Sequence, residues 1–165
     1  MDAMDFPSAL ALFSIDALAP EDMPEVAAEA LADGFDSPSL STLAGLSPFD
    51  ARLARDLFLS AMEELGETMP PPEDGLRVRL RNLEERVRIG SLAPNEASEL
   101  AWATYAQSPV LGREPMTLPA DLRSVYALMD LAERWHEQPR DRRKLDSEIR
   151  AWFEFASGRS LHRPS

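Results

Sequence analysis

Carboxylates are the reactive groups this chain offers in quantity: 29 Asp and Glu among 165 residues, against two histidines and no cysteine. Glu21, Asp22, Glu25 and Glu29 are spaced to line one ridge of a helix. Such a ridge can ligate a metal, dock a cationic partner, or form a solvated face whose charge suits a helix start. The metal reading is the weakest. Carboxylate bundles that bind two metals take a Glu-x-x-His pair from each of two helices, and a single such pair, Glu133 and His136, occurs, outside the ridge. The ridge is therefore a candidate partner-binding surface beside the plainer solvated reading.

The other chemistry-bearing side chains are few. On a helix Arg77, Arg81 and Arg88 share a side, tempered by Glu84 and Glu85. Nucleic-acid binding rests on a basic domain or stripe. A net charge of −12 and an isoelectric point near 4.6 oppose it, so no nucleic-acid partner is expected. These arginines are expected to pair with acidic residues of the first half. Trp102 and Tyr105 fall off the inward stripe of their helix. They are candidate partner-binding anchors, since aromatic residues dominate interface hot spots, unless a neighbouring helix covers them. His136 stands beside Trp135 near a helix end, where a cation suits the dipole; His162 lies in the terminal tail. No zinc-protease motif, phosphate-binding loop, dinucleotide fingerprint or nucleophile elbow is present. No catalytic, metal-ligating or cofactor-binding residue is assigned, and no cofactor is expected.

Charge is divided along the chain. Residues 1–75 hold 16 acidic residues against Arg52 and Arg55, a net of −14; residues 76–165 hold 13 against 15 basic residues, a net of +2. The absence of cysteine removes disulfide and thiolate chemistry and fits a reducing compartment. The first residues are acidic where a secretory signal needs positive charge. No apolar run approaches the ~18 residues of a membrane span. A cytoplasmic protein with no membrane partner is expected.

The elements that must position these side chains read as helices. Pro7 and Pro20 open apolar-periodic segments near 7–18 and 22–33, the second stopping at Gly34. Ser37-Pro38 starts a third that ends at Gly45. A fourth, near 48–65, takes Ser47 as cap, Pro48 as first residue and Gly66 as stop. Its apolar residues cover about half the circumference, which predicts a central helix with Leu53, Leu57, Phe58 and Leu65 deeply buried. Residues 66–75, with three consecutive prolines, read as an extended connector. Residues 76–81 alternate as a strand would, yet Leu76, Leu80, Leu83 and Val87 also share one helical face; the longer period favours helix to Gly90. Further helices are expected near 94–107, after Pro119 and near 140–157, with a loop from Ser108 to Leu118.

The run from Ala30-Leu31-Ala32-Asp33-Gly34-Phe35 through Leu46, continuing through Asp56-Leu57-Phe58 to Glu64-Leu65-Gly66, resembles small uncharacterised all-helical proteins of GC-rich bacteria, some of them immunity-like. The resemblance implies a non-enzymatic protein that binds a protein partner, and it carries over no functional residue.

The expected fold is all-α, with about eight helices in one globular domain or two packed helical subdomains. The boundaries are an acidic subdomain at 1–66, a Pro-rich connector at 67–75, an Arg-rich subdomain at 76–157 and a flexible tail at 158–165. The expected function is an immunity- or antitoxin-type inhibitor whose acidic surface binds a basic partner protein. The alternatives are a helical adaptor using an apolar patch such as Trp102 and Tyr105, and an enzyme with a carboxylate-based site.

Overall fold

Asp5 starts the first helix. In the computed structural model its carboxylate accepts the backbone N–H of Ser8 at 2.7 Å, and Pro7 occupies the first turn, where no N–H is needed. The structure describes residues 4–47, 50–110 and 118–156. Among them every regular element is an α-helix: α1 (Phe6–Phe13), α2 (Met23–Ala32), α3 (Pro38–Ala44), α4 (Ala51–Leu65), α5 (Pro72–Arg88), α6 (Pro94–Gln107), α7 (Ala120–Arg123), α8 (Val125–Glu137) and α9 (Arg142–Ala156). The chain divides into two compact units, Met1–Gly75 and Leu76–Ser165. That division falls at the step in charge.

In the first unit, α1 stops five residues earlier than its apolar period suggests. The backbone turns through Asp16, whose φ is 58°, a conformation that Asp tolerates better than most side chains. Ile15 and Leu18 remain buried beyond the helix end. Arg55 pairs with Asp16 at 2.5 Å and lies 5.3 Å from the centre of the Phe13 ring. Ser37 caps α3 by accepting the Leu40 N–H at 3.0 Å. Ser39 donates both its backbone N–H (3.0 Å) and its hydroxyl (2.7 Å) to the Glu64 carboxylate on α4. Bonds from Ser39 and Ser37 hold that carboxyl below the usual glutamate range. At the end of α4 the Glu67 N–H reaches the Met62 carbonyl and the Gly66 N–H reaches Glu63. This closure needs a left-handed residue, and Gly66 supplies it with φ 70°; Gly34 ends α2 in the same way.

The core of the first unit gathers around phenylalanine. Phe58 lies 5.7 Å from Phe6 and 4.8 Å from Phe13, and Phe6 lies 5.1 Å from Phe35. Helix α3 packs on α2 and α4, and α2 also meets α1. The expectation of a central α4 is corrected. Phe58 is fully buried, but Leu57 and Leu65 are half-buried and Leu53 is 48% exposed. The face that α4 buries is Ala54, Phe58, Ala61 and Met62. Two small residues let α2 and α3 approach it closely, and the flanking leucines are left at the edge. The observed N-cap position is Asp50, whose side chain makes no capping bond; Pro48 lies outside the described residues.

The expected connector is corrected at its end, because α5 begins at Pro72 and takes in Glu73, Asp74 and Gly75. Proline suits a first helical turn, and the two carboxylates favour the positive end of the helix dipole. Gly75 is needed there for space. A Cβ at this position would collide with the Ala11 carbonyl oxygen and stand 2.9 Å from Ile15 Cγ1.

Residues 76–81 are helical. In the second unit Leu83 and Val87 of α5 join Leu92, Ala97, Ala101, Leu128, Ile149 and Phe153 in one buried cluster. Helices α6, α8 and α9 pack on one another. The helix expected after Pro119 is broken at Ser124 into α7 and α8. The Ser124 carbonyl accepts the Trp152 indole N–H at 3.0 Å, and its hydroxyl donates to the Asp121 carbonyl at 2.7 Å. Gly112 and Gly158, expected in a loop and at a helix stop, lie outside the described residues.

Three stability outcomes follow from these contacts. Phe58→Ala should cost about 3–5 kcal/mol, whereas Leu53→Ala should stay within about 0.5 kcal/mol, both read from urea midpoints. Gly75→Ala would be worth up to ~1 kcal/mol in an open helix. Here overpacking should reverse the sign and destabilise by roughly 1–3 kcal/mol.

Candidate functional site

The acidic ridge forms where α2 starts. Glu21, Asp22 and Glu25 are exposed and Glu29 is half-buried. Asp22 sits at the N-cap position but makes no side-chain capping bond, so its charge does not serve the helix end directly. Partial burial and then the charges of Glu21 and Glu25 push its carboxyl above the ordinary range. That shift means folding is most favoured with Asp22 protonated, and the contribution is lost as pH rises through the raised value. At neutral pH the ridge is a like-charge cluster held against its own repulsion. No described residue forms an ion pair with it. Among the described residues no three His, Asp or Glu side chains come together as a metal site.

Trp102 and Tyr105 separate in role. Tyr105 is 1% exposed, which corrects its reading as an exposed anchor; Trp102 is half-buried. What covers them is α8. The Tyr105 and Tyr126 hydroxyls share a 2.9 Å hydrogen bond. The Trp102 ring lies 5.6 Å from Tyr105 and 6.0 Å from Tyr126. The two tyrosines stand 21 residues apart, and only the packing of α6 on α8 brings them together, so no local spacing announces the pair. Burial, then the bond to Tyr126, pushes the Tyr105 phenol up to about 12.

Arg77 and Arg88 find carboxylates in their own unit, whereas Arg81 forms no ion pair with a described residue. Arg77 Nε donates to Asp121 Oδ2 at 2.7 Å, holding that carboxyl below the usual range, and Arg88 pairs with Glu85 one turn earlier on α5. Arg79 is half-buried and its Nε has no hydrogen-bond partner among the described residues; burial and the nearby charge of Arg86 lower its pKa. Arg77, Arg81 and Asp121 rim a cleft of about 250 Å³ walled by Leu80, Leu122, Phe153 and Ala156. Three separate helices build it, so no local pattern announces it. His136 bonds Glu99 at 2.8 Å, and Arg142 stacks 4.1 Å over the Trp135 ring whose N–H reaches Asp146. These contacts tie α8 to α6 and α9. No described helix is long and apolar enough to cross a membrane.

No known family model, curated protein or solved structure matches this chain.

The tyrosine pair gives a testable pH dependence. The folded state holds the Tyr105 proton more tightly than an unfolded chain, whose tyrosines ionise near ~10. Stability should be insensitive to this group below that value and fall as pH rises from there to about 12. Tyr126→Phe removes the bond but not the burial, so tyrosinate absorbance should show Tyr105 titrating lower than in the wild type and still above ~10.

Proposed function

We propose that this chain is a protein-binding module of the immunity or antitoxin type, whose acidic first unit covers a basic surface of its partner. The observation that carries the reading is the ridge at Glu21, Asp22 and Glu25. It is exposed, forms no ion pair with a described residue, and adds the charges of Glu21 and Glu25 to the partial burial that raises the pKa of Asp22. A like-charge cluster of this kind weakens folding and is relieved when a cation arrives. The net of −14 over residues 1–75 supplies the longer-range field that steers a basic protein toward it. The resemblance over residues 30–66 points the same way. On this reading the protein works in the cytoplasm, makes no catalytic contribution and needs no cofactor.

An adaptor binding through apolar surface is the second reading. Its support moves from Trp102 and Tyr105 to α4, where Leu53 and Leu59 are 48% and 42% exposed.

The two readings separate by salt. The partner would be captured from native extract on the wild-type chain and identified by mass spectrometry. Association would then be timed across a salt series for wild type and for a variant with Glu21, Asp22, Glu25 and Glu29 changed to Lys. The acidic-surface reading expects association to slow about tenfold or more on reversal, and expects added salt to slow the wild type alike, since steering is screened over ~8–10 Å. Identical rates in every condition would remove it in favour of the apolar surface.

A further inference from the structure

We infer that the cleft of the second unit is a binding site for a small organic anion with an apolar body, its charge taken by Arg81. The inference is independent of the acidic ridge, because every lining residue belongs to the second unit. Arg77 and Arg81 are four residues apart on α5, so their side chains leave the same face of the helix. The rim carries one carboxylate for these two cations. Asp121 engages Arg77 through both oxygens, at 2.7 and 3.5 Å. Arg81 is exposed and has no hydrogen bond or ion pair with a described residue. The rim therefore keeps one uncompensated positive charge, and it stands beside an apolar wall of Leu80, Leu122, Phe153 and Ala156.

Size and chemistry narrow the ligand. At about 250 Å³ the cleft is below the ~300–1,000 Å³ of sites for drug-sized molecules. It suits an acyl or aryl carboxylate of roughly ten non-hydrogen atoms. A guanidinium binds a carboxylate through two parallel N–H bonds, so the head would sit at Arg81 and the body would lie on Leu80 and Leu122. Asp121 then acts against the ligand: it occupies Arg77 and adds a negative charge to the rim.

The test is a titration of the full chain followed by amide NMR, with octanoate, 1-octanol and octyltrimethylammonium as probes. Octanoate should give saturable shifts centred on Leu80, Arg81 and Leu122, with Kd about 1 mM; the ammonium probe should give none there and the alcohol weaker ones. Arg81→Gln, at an exposed position, should weaken octanoate at least fivefold. Asp121→Asn removes the negative charge from the rim and should tighten it severalfold, an effect that a merely structural Asp121 would not produce. The proposal fails if octanoate gives no saturable shift at the cleft. It also fails if the ammonium probe binds as well, or if Arg81→Gln leaves the affinity unchanged.

Discussion

Helices too short to stand alone must be held by what they bury. That constraint governs the first unit. Its α1, α2 and α3 have 8, 10 and 7 residues, below the ~12–15 at which even good helix formers become marginal in water. Their order depends on Phe58 and the rings around it, where one buried aromatic contributes roughly 1.5–3 kcal/mol of transfer energy. The caps at Asp5 and Ser37 and the left-handed ends at Gly34 and Gly66 then satisfy backbone groups that such short helices cannot satisfy internally.

The same core has to hold a unit of net charge −14. Arg55 compensates one carboxylate through its bond to Asp16, and Glu64 is stabilised by the serines of α3. The ridge at Glu21, Asp22 and Glu25 has no such compensation among the described residues. Structural carboxylates are thus distinguished from available ones by what they accept, and only the available ones carry the proposed role.

Much of the secondary structure is legible in the residues. Helices α3 and α6 begin at Pro38 and Pro94 as their prolines predict, and α5 is recognised from Leu76, Leu83 and Val87 despite a strand-like start. Helix punctuation is local, so it can be read locally. The burial of α4 was not legible, because a wide apolar arc states how much surface could be covered and not how much its neighbours cover. The start of α5 was missed because three prolines suggest extension, while Pro72 in fact fits a first turn. The break at Ser124 is bonded to an indole 28 residues away, which no local pattern announces. Of the candidate site, exposure of the ridge followed from its helix-start spacing. The tyrosine pair and the cleft did not, since each joins residues that only tertiary packing brings together.

The aromatic residues carry a consequence for how this molecule can be observed. All three tryptophans, Trp102, Trp135 and Trp152, and both tyrosines lie beyond residue 76, while the rings of the first unit are phenylalanines. Indole emission therefore reports the second unit alone, and the acidic unit is silent in it. Melting followed by emission and by far-ultraviolet ellipticity would coincide only if both units unfold together. A tryptophan placed at Phe35, half-buried against Phe6, would give the silent unit its own signal.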